Sequence, residues 1–392
     1  MQRTVIVIAA MAASVTLCAQ DGVERVLLAI EQNNTTLDAL RKRTEAEKAG
    51  NRTQTALPDP EVEFGYLWGG PGGIGHRKDV TASQQIDLAT IGGARHRIVD
   101  GKDALADSRL RAERTAILLE AKKLCVDAIY YNALLRQLDR RKRSAQALAD
   151  RQRRRTDLGD DSRMAYHNVL LDLASVEAEE NRCVTERQVV MDGLARLNGG
   201  MAVELADTLY PAMALPADFD SWLAAAERQS AALDILKRQV EVGRHQLAVS
   251  RAEGLPKLSV GFSGEYASDE RYRGVTIGMS IPLWSNKSRV RQARAEVAAA
   301  EAEHADARLQ LYSELRALFR RQAGLRRVAD IYRHALDSTS NVALLHKALA
   351  AGSISVVDYI LGARVHDEAV ARWLEAERQW QRACAQLTAV TL

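Results

Sequence analysis

The chain has 392 residues, with 54 Lys+Arg against 51 Asp+Glu and a formal net charge of +3. That length suits two or three domains of ordinary size, and so mild a charge does not by itself imply a nucleic-acid partner. Aromatics make up only 5%, and the seven prolines fall at 58, 60, 71, 211, 216, 256 and 282, leaving 72–210 and 283–392 without one. Proline breaks helix interiors, so its confinement marks where the helices are not.

At the N-terminus, Met1-Gln2-Arg3-Thr4 carries one basic residue, Val5 to Leu17 is a short apolar run, and Cys18-Ala19 are small. Residues 1–19 resemble a secretory signal peptide cleaved near Ala19 or Gln20, too short to cross a membrane as a helix. Lipidation of Cys18 is the alternative, although Leu17 stands where a small residue is wanted. No later apolar run approaches the about 18 residues a membrane helix needs. Cys125, Cys183 and Cys384 stand singly in helical contexts, without a disulfide framework or a Cys-x-x-Cys metal pattern. They read as buried small hydrophobes.

Val23 to about Thr53 is helical in pattern, interrupted at Asn33-Asn34-Thr35-Thr36. Leu57-Pro58 then breaks the helix, and residues 60–88 alternate apolar and polar around a glycine-rich turn, Gly69 to Gly75, as a β-hairpin does. From Gly92-Gly93-Ala94-Arg95 a long helix runs to about Thr156. Its stripe is Ile117, Ala121, Leu124, Ala128, Tyr131, Leu135, Leu138, Lys142, Ala145 and Ala149, spaced by fours and threes. About 60 residues of helix would be roughly 90 Å long. Leu158-Gly159-Asp160-Asp161-Ser162 is a helix stop followed by a cap, and a return helix covers Arg163 to Asn198. Tyr210-Pro211 and Leu215-Pro216 belong to a linker.

The second half repeats this order. Leu255-Pro256 opens a hairpin over 258–283, and Leu311, Leu315, Leu318, Gln322, Leu325, Ala329, Tyr332, Leu336, Thr339 and Ala343 form the matching stripe of a second continuous rod. Ala351-Gly352-Ser353-Ile354-Ser355 is the second tip, and Val356 to about Ala389 the second return helix. The offset is 193 residues from Gly159 to Gly352 and 198 from Leu57 to Leu255. A repeat this long is no solenoid unit, so the halves are two parts of one fold.

On the hairpins, Val62, Phe64, Tyr66 and Trp68 share one side of the first strand, opposite Glu61, Glu63 and Gly65. Val80, Ala82, Ile86 and Leu88 share a side of the second strand, with Gln84 a polar exception. Leu258, Val260, Phe262 and Tyr266, then Val275, Ile277, Met279, Ile281 and Leu283, repeat the pattern. Strands of about 9–11 residues with one apolar face suit a transmembrane barrel; a soluble sheet packed on the helices would alternate too. Four strands cannot close in lipid, where open edges leave backbone groups unpaired. A membrane reading therefore requires oligomers, with eight strands in a dimer and twelve in a trimer, and only the wider barrel leaves an aqueous lumen.

The doubled order of helix, hairpin, long helix, glycine tip and return helix resembles the outer-membrane efflux factor (TolC) family, as does the strand Gly274 to Trp284. Ser83 to Leu88 followed by Gly92 to Arg95 is similar to its heavy-metal (CzcC-like) branch. The resemblance covers essentially the whole chain after the signal peptide. It implies a mainly α protomer with β-hairpins, a homotrimer whose 12-stranded β-barrel sits in the outer membrane of a Gram-negative bacterium and is continued by a periplasmic α-helical barrel. The implied repeats are 20–200, with long helices over 93–198, and 217–392, with long helices over 288–389, joined by a linker at 201–216. The implied function is a passive duct of a tripartite efflux or type I secretion system, exporting small molecules or metal ions. Its partners would be a periplasmic adaptor (membrane fusion) protein, an inner-membrane pump of RND or ABC type, and outer-membrane lipid. A periplasmic coiled-coil structural or adaptor protein without a pore is the competing reading.

The resemblance carries adaptor docking onto Leu158, Gly159, Asp160, Ser162, Gly352, Ser353 and Ser355. It carries a pore constriction onto Asp358, with Leu361 departing from the family's second aspartate; a plain helix-surface carboxylate is the other reading of Asp358. The lipid-facing residues would be Val62, Phe64, Tyr66, Trp68, Val260, Phe262, Val275, Ile277, Met279, Ile281 and Leu283. Arg151, Arg153, Arg154 and Arg155 read as a solvated face. The eight histidines form no His-x-x-x-His pair, and no phosphate loop or Gly-x-Ser-x-Gly is present, so the residues support no catalysis, cofactor or metal centre.

Overall fold

The computed structural model describes residues 22–69, 75–87, 92–159, 162–213, 215–216, 218–267, 270–282, 286–339 and 341–391. The expected signal peptide with Cys18, and also Leu88, Asp160 and Leu283, lie outside these residues.

The first helix, α1, covers 22–33, and α2 covers Thr35–Arg52. The break between them is Asn34. Its backbone N–H still donates to Ile30 at 2.9 Å, while its side-chain oxygen accepts from the N–H of Leu37 at 2.8 Å and its amide donates to the Leu197 carbonyl at 2.7 Å. A short polar side chain that satisfies orphan helix groups at a boundary stabilises that boundary, and here it also ties the break to a distant helix end.

Strands β1 (Glu61–Leu67) and β2 (Arg77–Ile86) precede α3, which runs unbroken for 64 residues from Ala94 to Asp157, about 96 Å at the standard rise. Helix α4 (Arg163–Leu197) returns along it, and α5 (Phe219–Gln229) and α6 (Ala231–Ala252) lead to β3 (Lys257–Tyr266) and β4 (Arg271–Ser280). Helices α7 (Asn286–Ser338), α8 (Asn341–Ala350) and α9 (Val356–Leu387) complete the second half.

The second rod differs from the first. A continuous helix through Ala343 is expected from the stripe, yet α7 stops at Ser338 and α8 begins at Asn341. The hydroxyls of Ser338 and Thr339 both donate to the Ala335 carbonyl, at 3.0 and 2.8 Å. Side chains of this kind compete with the backbone for helix hydrogen bonds, so Ser338 and Thr339 favour a helix end over helix interior.

The two hairpins are one sheet. Strand order is β1-β2-β3-β4, all antiparallel, with β2 paired to β3 through Ala82↔Phe262, Gln84↔Val260 and Ile86↔Leu258. Alternation had defined the faces but not this junction, which links residues roughly 180 positions apart in the chain.

The chain divides into two compact units, one formed by Ala39–Ala112 with Glu227–Leu311, the other by the remaining described residues. The first unit holds the sheet and a small cluster of Ala94, Ile98 and Val249. The second holds two cores. One gathers Ile30, Ala121, Cys125, Ala128, Ile129 and Leu194. The other gathers Ala145, Leu148, Val169, Leu173, Val356, Tyr359 and Ile360. Small stripe residues such as Ala121, Ala128 and Ala329 are wholly buried, which lets helix backbones approach closely. The linker is pinned to α3 of this unit: the buried Asn132 donates to the carbonyls of Leu205 and Asp207, both at 2.9 Å, and Tyr210 donates to the Val126 carbonyl at 3.2 Å. Cys125, Cys183 and Cys384 are buried and unpaired.

Candidate functional site

Register determines what the sheet presents. Val62, Ala82, Phe262 and Val275 form one cross-strand row, and Gln84, Val260 and Ile277 another. Ile86, Leu258 and Met279 make a third. All lie on one face, and that face is uncovered: Val62 is 73% exposed, Val275 74% and Ile277 79%. A soluble sheet buries its apolar face, so an apolar face this bare within its own unit is unusual. The polar exception, Gln84, is satisfied locally, its amide donating to the carbonyls of Pro58 and Gln85 at 2.7 and 3.0 Å.

The opposite face carries Glu61, Glu63, Thr81, Ser83, Gln85, Ser259, Ser263 and Thr276. There Arg77 reaches Asp79 at 2.9 Å and Glu265 at 2.8 Å, and the hydroxyls of Thr81 and Ser263 lie 3.4 Å apart. Polar groups therefore pair with one another on the face that the sequence makes polar.

The two tips share one construction. Gly159 and Gly352 adopt left-handed backbone, φ +79° and +68°, where side chains are disfavoured. At the second tip the N–H of Gly352 donates to Leu349 at 3.1 Å and that of Ser353 to Ala348 at 2.9 Å, the paired bonds of a Schellman ending. Ser162 caps α4 by accepting from Met164, and Ser355 caps α9 by accepting from Asp358. Asp358 returns the contact through its carboxylate, so its pKa is lowered by hydrogen bonds from the Ser355 side chain and backbone. Leu158 and Met164 at the first tip are 76% and 73% exposed.

A charge network crosses three helices of the second unit. Arg141 of α3 reaches Glu179 and Asp172 of α4 at 3.2 and 3.7 Å and Asp367 of α9 at 3.3 Å. Burial pushes the Asp367 carboxyl up, with Arg141 opposing that shift. Tyr359 of α9 lies 3.2 Å from His346 Nε2 of α8.

Residues 222–391 match the family model described as outer membrane efflux protein. The second half of the chain is therefore similar to that family. Among solved structures it is similar to a membrane protein from Pseudomonas aeruginosa (TM-score 0.78, 16% identity, covering 94% of this chain and 90% of that one). CusC gives TM-score 0.78 at 14% identity over 94% of this chain and 92% of its own. The outer membrane protein VceC from Vibrio cholerae gives 0.75 at 13% over 94% and 95%. At these identities the likeness shows a shared fold. No curated protein matches the chain.

Among the described residues no helix is long and apolar enough to cross a membrane, and no group of three or more potential metal ligands is present. Val62, Phe64, Tyr66, Val260, Phe262, Val275, Ile277 and Met279 share one sheet face, while Trp68 and Ile281 follow directly on β1 and β4. Leu158, Gly159 and Ser162 form one tip and Gly352, Ser353 and Ser355 the other, with Asp358 exposed in the first turn of α9. Sequence reasoning missed an exposed apolar stripe on α9, formed by Val357, Leu361 and Val365. Its spacing of four was visible, but a stripe does not say whether the chain itself covers it.

Proposed function

We propose that three copies of this chain close into a twelve-stranded β-barrel continued by a helical tube, forming a passive duct that exports small molecules or metal ions. The observation that carries this reading is the bare apolar face across four strands whose outer members, β1 and β4, have no further strand partner among the described residues. In lipid such edges must pair, and pairing β1 of one copy with β4 of the next satisfies them while turning every apolar face outward. Twelve strands leave a lumen that the polar face would line.

In this assembly Val62, Phe64, Tyr66, Trp68, Val260, Phe262, Val275, Ile277, Met279, Ile281 and Leu283 face lipid. The halves 20–200 and 217–392, joined by 201–216, each supply one hairpin and one rod with its return. The glycine tips, with Leu158, Gly159, Asp160, Ser162, Gly352, Ser353 and Ser355, meet a periplasmic adaptor coupled to an inner-membrane pump of RND or ABC type, which supplies the energy. Exposed Val357, Leu361 and Val365 support packing against a neighbouring copy, and Asp358 forms a ring of three carboxylates that favours cations at the constriction.

The test is to express the full chain, fractionate membranes and record conductance in planar bilayers. An outer-membrane, heat-modifiable trimer that conducts is expected. A soluble monomer would return the chain to the competing reading of a periplasmic coiled-coil protein without a pore.

A further inference from the structure

The apolar face of the sheet does not stay apolar to its end. Tyr66, Lys78, Tyr266 and Arg271 are direct cross-strand neighbours and form one row over all four strands at the hairpin-turn end. Arg273 lies one row inward on the same face, beside Phe64, Val80 and Gly264, with its guanidinium carbon 5.5 Å from the Tyr266 ring centroid. Trp68 continues the line and meets Tyr66 edge-on at 5.4 Å.

Charge on the two faces is sorted. In the strands, the apolar face carries Lys78, Arg271 and Arg273 and no carboxylate, whereas Glu61, Glu63, Asp79 and Glu265 all project to the other face. Arg77 on that other face is engaged by Asp79 and Glu265. Among the described residues no carboxylate ion-pairs with Lys78, Arg271 or Arg273, and Lys78 and both arginines are exposed. Cations on a lipid face are tolerated at the depth of the headgroups and not in the hydrocarbon, and Tyr and Trp concentrate at the same depth. The row therefore marks an interface between hydrocarbon and headgroups.

We infer that Lys78, Arg271 and Arg273 form a docking row for a multiply phosphorylated lipid headgroup in the leaflet at the hairpin-turn end. Lys78 on β2 and Arg271 on β4 are two strand spacings apart, about 9.5 Å, which is too wide for one phosphate and suits a headgroup bearing more than one. Arginine adds forked donors that match phosphate oxygens. This inference rests on the lipid-facing reading of the sheet.

The experiment uses the full-length oligomer in detergent micelles, with native mass spectrometry of bound diphosphorylated lipid A, dephosphorylated lipid A and phosphatidylcholine. The wild type is expected to retain the diphosphorylated lipid about tenfold better than either other lipid. Lys78→Gln/Arg271→Gln/Arg273→Gln should lose that preference, and Lys78→Arg/Arg271→Lys/Arg273→Lys should keep most of it. Because Arg273 packs on Tyr266, the double variant Lys78→Gln/Arg271→Gln gives the same readout if the triple variant does not fold. Equal preference in the wild type and a folded neutralised variant would overturn the inference. A wild type that retains no lipid of any kind would instead overturn the lipid-facing reading beneath it.

Discussion

Ser355 and Asp358 hold each other at the start of α9: the Ser355 hydroxyl accepts from the Asp358 N–H at 3.1 Å, and the Asp358 carboxylate accepts from the Ser355 N–H at 3.2 Å and from its hydroxyl at 2.6 Å. Asp358 thus has a structural role whether or not three copies of it ring a pore. Two substitutions separate the roles. Ser355→Ala removes the cap while keeping the carboxylate, and Asp358→Asn removes the charge while keeping an acceptor. Reversal potentials in planar bilayers should show cation preference lost in Asp358→Asn and kept in Ser355→Ala. Unchanged selectivity in Asp358→Asn would leave the residue a cap alone.

The same pair has a pH signature. Hydrogen bonds to the ionised carboxylate lower its pKa in the fold, so its contribution is present above the unfolded value and is lost as pH falls through the folded one. Amide exchange in the first turn of α9 should accelerate on acidification in the wild type. In Ser355→Ala it should be faster from the outset, with little further pH dependence in that range.

Gly159 and Gly352 have open space where a Cβ would sit, so backbone conformation alone sets the cost of a side chain there. Each Gly→Ala change should cost about 1–2 kcal/mol, because an L-residue is disfavoured at positive φ. Thermal unfolding of the single variants checks this. A Gly352→Ala variant as stable as wild type would show that the tip relaxes to another turn.

Arg141 faces three carboxylates from two helices, and its own side chain is only 17% exposed. Arg141→Met should destabilise by about 1–3 kcal/mol, since it leaves partly buried charges uncompensated. The pKa of Asp367 is already raised by burial, and losing Arg141 raises it further. A raised carboxyl binds its proton more tightly in the folded state, so stability increases as pH falls. Denaturant melts should therefore show the variant recovering part of its loss on acidification.

Burial pushes the thiols of Cys125 and Cys384 up to about 12 and that of Cys183 up to about 11. The thiolate is the reactive form, so native protein should resist maleimide at neutral and mildly alkaline pH and label at all three sites only after unfolding. Rapid labelling of the native chain would show that these helix interfaces open.

Much of this was legible in the sequence because its signals are periodic. Steps of four and three gave α3 its extent, and alternation assigned Phe64 and Ile277 to the same kind of face. What stayed hidden depends on partners distant in the chain. Pairing of Ala82 with Phe262 joins the hairpins, but alternation is blind to which strand lies beside which. The stop at Ser338 comes from hydroxyls competing for the Ala335 carbonyl, a local effect that the apolar stripe runs straight past. The row of Lys78 and Arg271 emerges only when register aligns two hairpins.

In the proposed barrel one sheet face meets lipid and the other an aqueous lumen. Spin labels at Ile277→Cys and Thr276→Cys in the membrane-inserted protein, with the three buried native cysteines replaced by serine or alanine, test it at adjacent residues. The label at 277 should collide with dissolved oxygen and be shielded from a water-soluble nickel complex, and the label at 276 should show the reverse. Equal exposure of both labels to the nickel complex would contradict the barrel.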